Sequence, residues 1–355
     1  MRRARRGGGR PVQPVSLLHH ATVLSMLAVG AASGTASGAA PDEVVHIFES
    51  ARIEFDQDQD DDRRVLETSV ELPAVPADQR DARRITATVT VRSVPTGSGT
   101  RRRPGDVWAR PGSLSVVALD AEGAPVNVEL IRFATGYGRG ATYTQDVTAL
   151  APLLGGRRTL ILTISTYRKP AWEVSARLVF SDEGVGYRRP AFAAPLFAEI
   201  AVTADNPRLA ATVVIPPGLT RPRIRILSTG HSTDGGPENE FITCTHVLGV
   251  DGHRIVSWRP WSERGADGRA ANPWAGRRTI DGREVWSSDF DRSGWQPGLV
   301  VEPLLVPVPE LTPGRHEITL EVLGIRPGDR DHAHGYWRIS GVVLADEPWP
   351  APAAP

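Results

Sequence analysis

Cysteine is nearly missing from this chain: Cys244 is the only one in 355 residues. A single thiol closes no intramolecular bridge, which excludes a disulfide-built scaffold even in an oxidising compartment. Methionine is almost as scarce, with Met1 and Met26 the only two. Net charge is lacking too, since 41 basic residues balance 41 acidic ones. A phosphate-tracking basic face, and with it a nucleic-acid partner, is therefore not expected. The run Arg101-Arg102-Arg103 reads as a local solvated loop. Long apolar stretches of helical period are absent beyond the N-terminus, which argues against a helical bundle and against a membrane span.

What is present in quantity is glycine, 35 residues, and proline, 30 residues, between short alternating runs. The opening "MRRARRGGGR" is cationic, and a short apolar stretch with small residues follows it up to Pro41. That pattern predicts an export signal over residues 1–40, with both methionines lost on cleavage and no stable membrane insertion afterwards. Beyond it, "ITATVTV" sets Ile85, Ala87, Val89 and Val91 on one face and threonines on the other. Such period-two runs recur, eight before and eight after a break at residues 181–190, including Phe241–Val250 and Leu299–Val306. One-faced alternation predicts antiparallel sheets that cover each other as sandwiches, an all-β fold. The expected organisation is an N-terminal domain at 41–183, a linker at 184–195, a C-terminal domain at 196–347 and a tail at 348–355.

Four segments of the second half stand out by order and spacing. They are "GHSTDGGPENEF" (230–241), "DGHRIVSWRPW" (251–261), "WSSDFDRSGWQPG" (286–298) and "LTPGRHEITLEV" followed by "YWRISGVVL" (336–344). Together they resemble the C-terminal domain of the peptide-N-glycosidase F family. In the first half, "GDVWARPGSLSVV" and "ISTYRKPAWEV" are similar to the stretches that carry that family's N-domain acids. The resemblance implies two adjacent eight-stranded antiparallel jelly-roll β-sandwiches with a site in the cleft between them. It also implies a metal-free, cofactor-free reaction, hydrolysis of the amide that joins an N-linked glycan to asparagine. A carboxylate would polarise the attacking water while neighbouring donors hold the glycan core and the developing charge.

Carried over residue by residue, Glu240 falls on the family's C-domain glutamate. Ala109 stands where the family has its principal aspartate, and Ser165 near its second N-domain acid. Gln296 replaces a signature cysteine, and the cysteines flanking the glutamate are absent. An alanine takes no proton from water, so the nearby Asp106, two positions before Trp108, is the expected substitute acid. Glu173 and Asp234 are further carboxylates within reach of such a cleft. His231, Trp108, Arg110, Trp261 and Trp295 are the expected substrate contacts, with Trp274 and Trp286 as further ring platforms or packing residues. The expected partner is an N-linked glycan or glycoprotein, taken by a monomer. Two functions stay open: an amidase working through Glu240 and Asp106, and a non-catalytic glycan-binding member of the same fold.

Two other patterns point elsewhere. "DQDQDDDRRVLE" (56–67) has the alternating acids of a calcium loop, but Asp61 occupies the place of the required glycine, so a solvated acidic loop is the preferred reading. "DHAHGYW" offers His332 and His334 as copper ligands on a double sandwich. A mature chain without methionine or disulfides lacks the rest of that chemistry.

Overall fold

The computed structural model describes residues 42–56, 61–74, 83–182, 189–231, 239–327 and 335–347. Residues 1–41, and with them the expected export signal, lie outside the described residues, as do Asp58, Asp60, Asp234, His332, His334 and the 348–355 tail. Sixteen strands build two sandwiches. The first holds β1 (Glu43–Ile53), β2 (Val65–Leu72), β3 (Arg83–Ser93), β4 (Pro111–Leu119), β5 (Pro125–Ala134), β6 (Thr142–Asp146), β7 (Gly156–Ile164) and β8 (Trp172–Asp182). The second holds β9 (Phe192–Val202), β10 (Arg208–Ile215), β11 (Thr220–His231), β12 (Thr245–Val250), β13 (His253–Trp258), β14 (Leu304–Pro307), β15 (Gly314–Leu323) and β16 (Tyr336–Asp346).

The sheet orders are β1-β8-β3-β6 facing β2-β7-β4-β5, then β9-β16-β11-β14 facing β10-β15-β12-β13. Counted from the first strand of each half, the two orders are identical, and every pairing among the sixteen strands is antiparallel. This is the expected pair of jelly rolls. Alternation does the work: Ile85, Ala87, Val89 and Val91 of β3 are buried, while Thr90 faces outward onto Thr142 of β6. The tight β12–β13 turn uses Asp251 and Gly252, both left-handed at φ 49° and 80°, the geometry that matches strand twist in a two-residue hairpin.

Three strand expectations shift. Phe241 lies in a 3-10 turn (Asn239–Phe241), and the strand begins only at Thr245. β9 already starts at Phe192, inside the segment expected to link the halves. The stretch expected as one strand from Leu299 divides: 304–307 forms β14, whereas 298–301 pairs with the first sandwich. There the Gly298 amide donates to the Ala134 carbonyl (3.0 Å), the Val301 amide to Arg132 (2.8 Å), and Phe133 bridges Val300. A segment of the second half thus extends the β5 edge of the first, which also covers that edge.

The halves are joined by a buried polar network. Glu129 of β5 accepts from Arg132 and, across the junction, from Arg338 (2.9 Å) and Ser340 (2.5 Å) of β16. Arg132 also donates to Thr229 of β11 (3.1 Å), and Arg225 of β11 caps the Glu129 and Leu130 carbonyls. Burial alone would raise the Glu129 carboxyl, but the Arg132 and Arg338 charges win and hold it at about 2. Beside this network, Ala134, Leu227, Trp295 and Val301 make a small apolar cluster against which Ala109 packs.

Candidate functional site

The site grows from two loops of the second sandwich that cross each other. The turn Asn239–Phe241 is pinned by the Asn239 side chain, which exchanges hydrogen bonds with the backbone of Arg326 (both 3.0 Å). It is pinned again by Ser293, whose amide donates to the Glu240 carbonyl (2.9 Å) and whose hydroxyl lies 2.7 Å from the Asn239 carbonyl. Gly230 makes the crossing possible, since a Cβ there would stand 2.5 Å from the Asn239 oxygen and 2.7 Å from Ser293.

This scaffold aims Glu240 at Arg292, whose Nε donates to Oε1 at 2.8 Å. The guanidinium is buried to 1% exposure, and its other donors reach the Ser287 and Phe290 carbonyls (both 2.9 Å) and Gln296 (3.3 Å). One donor crosses to the first sandwich, where the Tyr137 hydroxyl accepts at 3.3 Å. The guanidinium also lies over the rings of Phe241 (5.0 Å) and Trp295 (5.3 Å). Glu240 therefore sits where the two halves meet, partly exposed, with an immobilised cation beside it. Burial, chiefly, raises the Tyr137 phenol, assisted by the Glu240 charge and opposed by Arg292, so it remains a protonated donor.

The first sandwich contributes an aromatic margin. Trp108 is 54% exposed, its ring 6.4 Å from that of Tyr137. Tyr167 is 59% exposed, with the Arg110 guanidinium 5.3 Å over its ring. Trp274, also exposed, comes from the second half: its amide donates to the Tyr137 carbonyl (3.3 Å), and its indole covers Gly138. Tyr167, Arg110, Asp106, Trp108, Tyr137 and Arg292 form a continuous chain of contacts across the junction, and Arg292 in turn meets Glu240 and Phe241, the latter packed edge-on with Phe290.

Asp106 does not have the surroundings of a substitute base. It is fully buried and accepts from the Trp108 amide (3.0 Å), Arg110 Nε (2.8 Å) and Thr166 Oγ1 (2.7 Å). Those donors make it the anchor that orients Trp108 and Arg110. His231 and Trp295, expected as substrate contacts, are packed inside. The Trp295 indole donates to the Gly230 carbonyl at 2.8 Å and stacks on His231 at 5.5 Å. Burial together with the Arg338 and Arg132 charges pushes the imidazole down to about 3, so it is neutral, with Nε2 2.8 Å from Thr229 Oγ1. Glu173 pairs with Arg52 on β1. Trp286 lies under Arg277 at 4.2 Å, and Trp261 lines a separate cleft. Tyr137 and Tyr167 were not picked out from the sequence, and Arg292 entered only as the first residue of the signature-like stretch at 292–298.

The acidic 56–67 segment is tied by cations of the chain itself. Lys169 lies 2.8 Å from Asp61 and 3.7 Å from Asp56, and Arg63 pairs with Asp61 at 2.9 Å. Among the described residues no group of three or more His, Cys, Asp or Glu is arranged to hold a metal ion.

Two stacked-sheet jelly rolls thus meet at an acid, a buried arginine and exposed rings. Residues 200–344 match the family model described as peptide-N-glycosidase F, C terminal. Solved structures agree across the described fold. PNGF-II superposes with a TM-score of 0.71 at 20% identity, covering 88% of this chain and 66% of that one, so the chain spans just under two thirds of its length. PNGase F, titled a glycosylasparaginase from Flavobacterium meningosepticum, gives 0.64 at 17% identity, with 87% and 96% covered. A structure titled peptide-N(4)-(N-acetyl-beta-D-glucosaminyl) asparagine amidase gives 0.65 at 19%, with 88% and 98% covered. No curated protein matches the chain. The chain is thus PNGase F-like, by fold in both sandwiches and by sequence over residues 200–344.

Proposed function

We propose that this chain recognises the asparagine-linked glycan of glycoproteins at the Glu240–Arg292 junction, and that recognition rather than amide hydrolysis is what its own residues perform. The observation that carries this reading is an acid fixed at the junction together with an alanine at the position that the resemblance assigns to the base. Glu240 and Arg292 stand together at the junction (2.8 Å), while Ala109 is part of an apolar cluster with Trp295 and Val301. In this reading Glu240 accepts hydrogen bonds from the glycan core. Arg292 holds that carboxylate in one rotamer, and Tyr137 donates to an acetamido or carbonyl oxygen. Trp108 and Tyr167 offer exposed ring faces to the C–H faces of sugars.

Hydrolysis would need a carboxylate that activates water beside the scissile carbonyl. Asp106 is already held by three donors, and a protonation role would break them. The protein is proposed to work after export, as the cationic start and the apolar stretch behind it suggest. No helix among the described residues is long and apolar enough to cross a membrane.

The test is incubation of the mature protein with a denatured N-glycoprotein, followed by mass spectrometry of the peptides. Retained glycan and unchanged asparagine, with saturable binding, are expected. Glycan release that leaves aspartate, and that is lost in Glu240→Gln, would instead establish the amidase.

A further inference from the structure

A second cleft, with a volume of about 340 Å³, opens on the C-terminal sandwich where β13 runs into the 259–264 loop. Its walls are the half-buried indoles of Trp258 and Trp261 together with Leu304 of β14, and its margin carries Arg259, Glu263, Arg264 and Glu302. The size falls at the lower end of small-ligand sites, and aromatic walls with a polar margin suit a molecule that is apolar on its faces and polar at its edges.

The margin's charges narrow the chemistry. Arg259 donates to Thr245 Oγ1 (3.2 Å) and Arg264 to Asp267 (3.0 Å), so both guanidiniums are directed to other parts of the chain. Glu263 and Glu302 are exposed and form no hydrogen bond or ion pair with the described residues. What the cleft offers is therefore two carboxylate acceptors beside two indole faces. A ring rich in hydroxyl donors satisfies both.

The wall of the cleft is also bonded to the loop that holds Glu240. Arg292, the partner of Glu240, donates to Gln296 (3.3 Å), and Gln296 donates to the carbonyl of Ser262 in the cleft wall (2.7 Å). Backbone bonds between Ser262 and Arg292 (2.8 and 3.0 Å) tie the same two loops.

We propose that the Trp258–Trp261 cleft is a second carbohydrate subsite that holds an outer pyranose of the N-glycan whose core is read at Glu240. It rests on the glycan-recognition reading above and adds that the chain selects for extended glycans over the bare core.

Two ligands separate the possibilities by titration calorimetry: a glycopeptide carrying only the two core N-acetylglucosamines, and one carrying a complete branched N-glycan. Trp261→Ala should weaken the branched ligand at least tenfold and change the core ligand less than twofold. Glu302→Gln, at an exposed position that does not threaten folding, should weaken the branched ligand several-fold only, whereas Glu240→Gln should weaken both. Unchanged affinity for the branched ligand in both cleft variants, or equal losses for both ligands, overturns the subsite and leaves the Glu240 reading standing. Failure of the wild-type protein to bind either ligand overturns both readings. Tetramethylammonium that binds the wild-type cleft in competition with the branched ligand, but not Trp261→Ala, assigns the cleft to cations and overturns the sugar.

Discussion

Glu240 and Ala109 are the two residues on which the proposed function turns. The acid has an arginine to orient it, and the half-buried alanine packs against the apolar cluster of Ala134, Leu227, Trp295 and Val301. Ala109→Asp would return a carboxylate to the position that the resemblance assigns to the family's principal acid. It should produce measurable release of glycan from a denatured glycoprotein where the wild type gives none. It should also cost about 1–3 kcal/mol of stability, because a charge replaces a methyl group in a packed cluster. Unchanged inactivity together with the expected stability loss would show that the glycan is not delivered to residue 109. Glu129 makes the opposite point. It is the one acid in the buried network with Arg132, Arg225 and Arg338, so Glu129→Gln should destabilise the protein by about 3–5 kcal/mol in urea unfolding. The candidacy of Glu240 was legible in the sequence through the resemblance. The buried role of Asp106 was not, because Thr166, which binds it, lies sixty residues away.

At the scale of elements, the strands were readable wherever alternation was clean. β2 was expected at Val65–Leu72 and lies there, because its pairing and its period agree along the whole length. The turn at Asn239–Phe241 was not readable. Its conformation is dictated by Ser293 and Arg326, and an apolar aromatic next to "FITCTHVLGV" looks locally like the start of a strand. The long loop between β13 and β14 has a similar non-local logic. Asn272 donates to the Gly268 and Pro297 carbonyls (2.7 and 2.9 Å) and accepts from the Tyr137 amide (2.8 Å). Asn272→Ala would leave these buried groups unpartnered, at about 1–3 kcal/mol each. Hydrogen exchange should therefore rise at Tyr137 and across 265–276 while the sheets keep their protection. Exchange that is unaltered at Tyr137 would show that the loop is held by other contacts.

For the whole molecule, the two sandwiches present one pH dependence that follows from buried histidines. Burial lowers His231 to about 3 and, with a weaker opposing bond from the Cys244 carbonyl, His246 to about 4. Unfolding lets both take protons near 6.5, so the unfolded state binds more protons between pH 6.5 and 4, and stability falls as pH falls through that range. Each contributes at most about 1.4 kcal/mol per pH unit. Glu129, held at about 2, acts in the same direction below 4.5. His316 has the opposite sign: its bonds to Asp251 and Thr312 raise it against burial, and that stabilisation is lost as pH rises through the raised value. Urea unfolding at pH 7, 5.5 and 4.5 should show a steady decline, and His231→Gln should flatten it. A flat profile in the wild type would contradict neutral burial of these rings. The antiparallel sandwiches were legible in the sequence because sixteen alternating runs divide evenly around one break, and the jelly-roll arrangement was what the resemblance implied. The junction was not, since its arginines look like surface residues until the partner strand is known.

The central claim is that Glu240, fixed by Arg292, binds the core of an asparagine-linked glycan. The most direct measurement is the equilibrium affinity of the mature protein for a glycopeptide carrying the two core N-acetylglucosamines, compared with the same peptide without sugar and with Glu240→Gln. Saturable binding that needs the sugar and falls at least tenfold in Glu240→Gln, with the melting temperature little changed, is the predicted result. Equal affinity for glycosylated and bare peptide, or binding that survives Glu240→Gln intact, would contradict it.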